Sequence, residues 1–126
     1  MPALNRIQLI GNLGKDPETR FTPTGRKVCT YTVAVSRSWK NSEGESQEAT
    51  DWFTIEAWGH LGEICQDYLQ KGRLVYLEGR LQTNRYEHEG EVRYYTKVVL
   101  QHMQMLDRRH DEDEPVLEAE EQAAGG

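Results

Sequence analysis

Apolar residues recur at every second position over several stretches of this chain, and at helical spacing over one. The stretch Asp51-Trp52-Phe53-Thr54-Ile55-Glu56-Ala57-Trp58 shows the alternation most clearly. Successive side chains of a strand point to opposite faces. Phe53, Ile55 and Ala57 therefore share an apolar face, and Trp52, Thr54, Glu56 and Trp58 share the other. The apolar face belongs to a core. The second face does not, because a core face would not carry Thr and Glu between its aromatics. Two indoles on a half-polar face are either a platform for something flat, or part of a subunit interface or a second small core.

The same period organises the rest. Asn5 to Leu13 reads as a first strand, with Ile7, Leu9, Gly11 and Leu13 on one side. Gly14-Lys15-Asp16-Pro17-Glu18 and Thr22-Pro23-Thr24-Gly25 are turn signals, with Arg20 and Phe21 a short extended piece between them. Arg26 to Ser38 is rich in Val, Thr and Tyr and reads as a second strand, with Tyr31, Val33 and Val35 on its apolar side. Trp39 ends it, and a terminal bulge would decide which way the ring points. Lys40 to Thr50 is polar, contains Gly44 and reads as a flexible loop before the third strand, Asp51 to Trp58.

Leu61, Ile64, Cys65, Tyr68 and Leu69 then fall on one face of a 3.6-residue period, so a helix of roughly three turns is expected. Lys71 and Gly72 suit its end, cation first and glycine after. A helix this short is marginal alone in water and must plug a larger body. Arg73 to Arg85 is a fourth strand. Val75, Leu77 and Leu81 oppose Tyr76, Glu78, Arg80, Gln82, Asn84 and Tyr86 on it. Glu87-His88-Glu89-Gly90-Glu91 is a hairpin tip, and Val92 to Met105 a fifth strand.

After Leu106 the pattern stops. Residues 1–106 hold 13 basic and 13 acidic residues, whereas 107–126 hold 2 and 8, so the whole net charge of -6 lies in the tail. Low hydrophobicity with high charge predicts disorder there; the reading is one domain, 1–106, and an acidic tail, 107–126. A neutral domain still binds a polyanion if its cations are gathered on one side. Cys29 and Cys65 form no CxxC, so both are expected as small buried hydrophobes in a reducing compartment. No signal pattern or membrane-spanning run is found, so a cytoplasmic protein without membrane partners is expected.

Five strands with one short helix between the third and fourth is the element order of the OB-fold, an all-β Greek-key barrel that binds oligonucleotides and oligosaccharides on its strand 2–3 face, between its 1–2 and 4–5 loops. Trp52 and Trp58 lie on that third strand, and Tyr86 where the fourth enters the 4–5 loop. This placement favours the platform reading of the indoles.

The motifs carry a resemblance. Asn5-Arg6-Ile7-Gln8-Leu9-Ile10-Gly11-Asn12-Leu13-Gly14-Lys15-Asp16-Pro17-Glu18, Ser38-Trp39, Thr50-Asp51-Trp52 and Trp58-Gly59 are similar, in order and spacing, to the bacterial single-stranded DNA-binding proteins. So are Tyr68-Leu69-Gln70-Lys71-Gly72, Val75-Tyr76-Leu77-Glu78-Gly79 and Met103-Gln104-Met105-Leu106. The similarity covers residues 1–106. It implies an OB-fold, usually a homotetramer, that coats single strands without sequence preference. The family's stacking positions match Trp39, Trp52, Trp58 and Tyr86; Trp58 replaces a usual phenylalanine and Tyr86 a tryptophan, and each keeps a π-face. The family's acidic tip ends in Pro-Phe and recruits replication and repair enzymes. This chain has the acid and Pro115-Val116-Leu117 but no terminal Phe, and it lacks the family's long Gly/Gln-rich linker.

Sequence-blind binding needs contacts that every nucleotide offers, a π-face and a phosphate. Stacking is assigned to Trp39, Trp52, Trp58 and Tyr86. Phosphate contacts are assigned to Arg6, Lys40, Lys71, Arg80 and Arg85; Arg80 shares a strand face with Tyr86, and Arg6, Lys71 and Arg85 match basic positions in the family. Tyr76 is read as a subunit contact. The tail, tethered to a neutral domain, is expected to compete for the phosphate groove. The alternative function is an OB-fold protein–protein adaptor of the replication-restart type, which would not need four aromatics on a ligand path. No enzyme is expected: Gly11 to Gly14 ends a strand rather than cradling phosphate before a helix. Neither cofactor nor metal is expected, since His60, His88, His102 and His110 lack ligand spacing. His60, at the helix start, is placed toward DNA.

Overall fold

Strands that are apolar on one side only bury that side most completely by curling round on themselves. In the computed structural model, which describes residues 2–107 and the backbone of 116–118, the chain does this. The elements are β1 (Ile7–Leu13), β2 (Glu18–Phe21), β3 (Lys27–Lys40), β4 (Ser46–Trp58), α1 (Gly59–Tyr68), β5 (Leu74–His88), β6 (Glu91–Met105) and β7 (Val116–Glu118). The sheet runs β1-β5-β6-β4-β3, and β1 pairs again with β3 through Asn12↔Ala34 and Leu13↔Val33. Five strands thus close into a barrel, all antiparallel except β4 against β6 (Ile55↔Val98).

Closure demands close backbone approach. A Cβ on Gly11 would stand 2.3 Å from the Ala34 carbonyl oxygen, so only glycine lets β1 turn from β5 onto β3. Inside lie Tyr31, Val33, Ile55, Ala57, Leu77, Val98 and Met103, all 1% exposed or less. Cys29 and Cys65 are buried, as expected of small hydrophobes, and are free thiols. The Tyr31 hydroxyl meets Cys65 Sγ at 3.8 Å. Burial pushes the Cys29 thiol up to about 11 and the Cys65 thiol up to about 12.

Helix α1 plugs the barrel but is rolled relative to the expected stripe. Leu61, Gly62, Cys65 and Leu69 are buried, whereas Tyr68 is 42% exposed and Ile64 half-buried. Gly62 explains the roll: a Cβ there would be 2.4 Å from the Ala57 carbonyl oxygen. That approach turns the glycine edge inward and tips Tyr68 out. The helix also ends before Lys71; Leu69 is already extended, and Gly72 (φ 90) serves the following turn.

Two further expectations change. Residues 40–50 are mostly not a loop, because β3 and β4 stay paired out to Lys40↔Ser46. The Asn41 side chain closes the turn by accepting from the Glu43 and Glu45 amides at 3.0 and 2.9 Å. This ribbon stands clear of the core, so neither of its faces needs to be apolar and alternation cannot reveal it. In the tail, Val116–Glu118 is a short strand on β6, Gln104↔Val116 to His102↔Glu118. Backbone pairing at an open edge needs no hydrophobic pattern. Residues 108–115 and 119–126, where disorder was expected, lie outside the described residues.

Candidate nucleic-acid interface

Register decides which side chains share the barrel's outer face, since residues directly opposite in an antiparallel pair point the same way. Between β3 and β4 the pairing is unbroken from Val28↔Trp58 to Lys40↔Ser46. Trp52, Thr54, Glu56 and Trp58 therefore all point outward, opposite Ala34, Thr32, Thr30 and Val28. Trp39 pairs with Gln47 and has the parity of Val33 and Val35. No bulge intervenes, so Trp39 leaves the ribbon on the face opposite Trp52. Its ring is exposed, and the Arg37 guanidinium lies 5.0 Å from its centroid.

Trp52 is the open platform, 62% exposed although its ring is held in place. A Cβ on Gly14 would fall 2.4 Å from Trp52 Cζ3 and 3.0 Å from Thr32 Oγ1, so the indole edge rests on a bare glycine backbone. Trp58 is half-buried, with the Arg26 guanidinium 4.4 Å from its ring centroid. In the row that crosses Trp58, Val28 pairs with both Trp58 and Arg20, which puts Arg20 on this face too.

The β5–β6 hairpin continues the same face. Arg80, Gln82, Asn84 and Tyr86 point outward with their partners Val99, Lys97, Tyr95 and Arg93. Tyr86 and Tyr95 are both exposed, at 47% and 44%. Arg85 pairs with Tyr94 on the hairpin's other side. Lys40 ends the β3–β4 ribbon. Lys71 stands on the α1–β5 turn, where its amide donates to Asp16 at 2.8 Å. Arg6 lies ahead of β1 and pairs with Glu78 at 3.2 Å. The Tyr76 hydroxyl also donates to Glu78, and this bond, helped by Arg6 against partial desolvation, holds the carboxyl below its usual range. Of the five expected phosphate ligands, Arg80 is the one that register places with Trp52, Trp58 and Tyr86.

Glu56 shares this face with the two indoles, yet it is only 4% exposed. Lys97 Nζ reaches its carboxylate at 2.8 Å from β6, and Arg20 at 3.8 Å from β2. Three strands thus lock two cations onto one carboxylate in the middle of the outer face. Arg20, Arg26, Lys97 and Tyr95 were not singled out from sequence. Tyr95 and Lys97 alternate with Arg93 along the fifth strand, a pattern visible in the chain. Arg20 and Arg26 sit beside turn signals and gave no such cue.

These features define an OB-fold barrel whose outer face carries aromatic rings interleaved with cations. The model of the single-strand binding protein family matches residues 4–106. The chain belongs to that family. It is 50% identical over 105 residues to single-stranded DNA-binding protein 1 of Chlorobaculum tepidum, covering 82% of this chain and 65% of that protein. It is 43% identical over 110 residues to the single-stranded DNA-binding protein of Neisseria meningitidis serogroup A, covering 86% and 63%. The chain thus spans a little under two thirds of the length of these relatives. Among solved structures, a Plasmodium falciparum SSB in complex with ssDNA superimposes with a TM-score of 0.79 at 29% identity, covering 85% of this chain and 98% of that one. A deletion mutant of the Thermus aquaticus single-stranded DNA binding protein superimposes with a TM-score of 0.74 at 29% identity, covering 84% and 52%. No described helix is long and apolar enough to cross a membrane, and no group of three metal-ligating side chains gathers among the described residues.

Proposed function

We propose that this chain binds single-stranded DNA without regard to sequence and shields it during replication, recombination and repair. The observation that carries the reading is Trp52: a large apolar ring left in water, on a polar sheet face, and braced from behind by Gly14. An exposed, positioned indole on a half-polar sheet face is the kind of platform on which unpaired bases stack. The superimposable Plasmodium protein carries ssDNA, which supports the same ligand here.

Bases stack on Trp52 and Trp58, on Tyr86 at the hairpin and on Trp39 at the ribbon, each contributing roughly 1–3 kcal/mol. Arg80, Arg85, Arg6, Lys40 and Lys71 serve the phosphates. Catalysis is not part of the role. The working form is a homotetramer in the cytoplasm, with Tyr76 at a subunit contact, and the acidic tail meets replication and repair proteins.

The test is a titration of the full chain with oligo-dT and with a duplex of equal length. Tryptophan emission is expected to be quenched by oligo-dT, with log affinity falling against log salt at about -0.7 per phosphate contacted. Equal affinity for the duplex would refute stacking on unpaired bases. Native mass measured with and without oligo-dT checks the tetramer.

A further inference from the structure

The cations of strands β2 to β4 and their neighbours are not equivalent. Arg20 and Lys97 are tied to Glu56, and Lys27 meets Glu63 at 3.4 Å. Arg37, which lies over Trp39, is anchored by Asp51 at 2.9 Å. Arg26 has no carboxylate partner among the described residues. Its exposed guanidinium lies on the Trp58 ring at 4.4 Å instead. It follows Gly25 (φ 85) in the β2–β3 turn, whose shape is kept by backbone and Thr22 contacts and not by the arginine side chain. Trp58 is half-buried, so the face that Arg26 covers is surface a base would need.

A guanidinium on an indole is held by cation–π attraction and planar stacking. A nucleobase is also flat, and it arrives with a phosphate that attracts the same guanidinium. We propose that Arg26 is an exchangeable cap on Trp58: an incoming base displaces it from the ring, and the freed guanidinium binds the phosphate of that nucleotide. This rests on the single-strand-binding reading above and assigns the nucleotide at Trp58 a ligand that neither the alternation nor the family resemblance had marked. Trp52, braced by glycine and uncapped, takes its base without such an exchange.

The exchange has a signature in salt. Arg26→Ala removes one phosphate contact, so the slope of log affinity on log salt shrinks by about 0.7. It also removes the cap, and with it an about two- to fivefold cost of displacement. The variant is therefore expected to bind oligo-dT more weakly than the parent at low salt and more tightly at high salt, where the phosphate contact is screened. The two lines cross. Arg26→Lys keeps the charge without the planar group, so it is expected to keep the parental slope and to bind at least as tightly throughout.

An Arg26→Ala line that coincides with the parent would overturn the proposal, because Arg26 would then be a bystander charge. Weaker binding at every salt without a crossing would also overturn it, since the base would then stack on the guanidinium rather than replace it. In either case the parent's own preference for oligo-dT over duplex stands as a separate result. If that preference is absent, it is the functional reading that fails. Thermal melts of both variants are expected to match the parent.

Discussion

Replacing Gly14 by alanine separates the position of the Trp52 ring from its presence. The added Cβ would lie 2.4 Å from Trp52 Cζ3 and 3.1 Å from Cη2. Carbon atoms rest at about 3.5–4.0 Å, so the ring edge must retreat by about 1 Å or more. The backbone will not give way, because the Gly14 amide is bonded to the Thr32 carbonyl at 3.0 Å. The ring will, because it is largely in water. Alanine also restricts the unfolded chain, which offsets part of any strain. Stability is expected to change by less than about 1 kcal/mol, whereas a stacking contribution of roughly 1–3 kcal/mol is partly lost. The result is oligo-dT binding weaker by about 1 kcal/mol, about fivefold. The assay is a double-mutant cycle with Trp52→Ala, read by oligo-dT titration and by melting. Once the ring is gone, Gly14→Ala is expected to cost nothing more. Equal losses in the two backgrounds would refute the reasoning, for Gly14 would then act on DNA or on the fold and not through the indole.

Three other outcomes follow from the same geometry. Glu56→Ala strands Lys97 beside a buried site and is expected to destabilise the barrel by roughly 3 kcal/mol in chemical denaturation, whereas the paired change Glu56→Leu with Lys97→Met recovers most of it. The two thiols are held protonated by burial, at about 11 and about 12 against 9.0 for a free thiol. Their contribution is complete below pH 9 and is lost as pH rises through those values, so the melting temperature is expected to fall above pH 9, and less so in the Cys29→Ala, Cys65→Ala variant. Cutting the chain after Asp107 removes most of the acidic tail but keeps the 2.7 Å bond from Arg73 to Asp107. Tighter oligo-dT binding, most at low salt, is expected by titration, and unchanged affinity would make the tail a spacer or a handle for partners.

Not all of this was legible in the chain. The barrel strands and the plug helix announced themselves because half of each element is buried, and burial imposes a period of 2 or 3.6. Trp52 and Trp58 stood out by breaking that rule on the polar side. The β3–β4 ribbon beyond the barrel was missed because it has no buried face to impose a pattern. Tyr68 was misplaced because a stripe of apolar residues does not show where a glycine lets the helix roll. Strand β7 was missed because backbone pairing leaves no mark on side-chain choice.

The order of apolar and polar residues by itself determined that strands would curl round one core with a short helix beneath, since each element had a single face to hide. Tertiary structure alone decided what happens between elements far apart in the chain. It brought Lys97 and Arg20 onto Glu56, laid Arg26 over Trp58, set Gly14 behind Trp52 and sent Trp39 to the opposite side of its ribbon. These contacts depend on strand register and on the shape of turns, and a one-residue slip would undo each of them while leaving the local pattern nearly as readable as before.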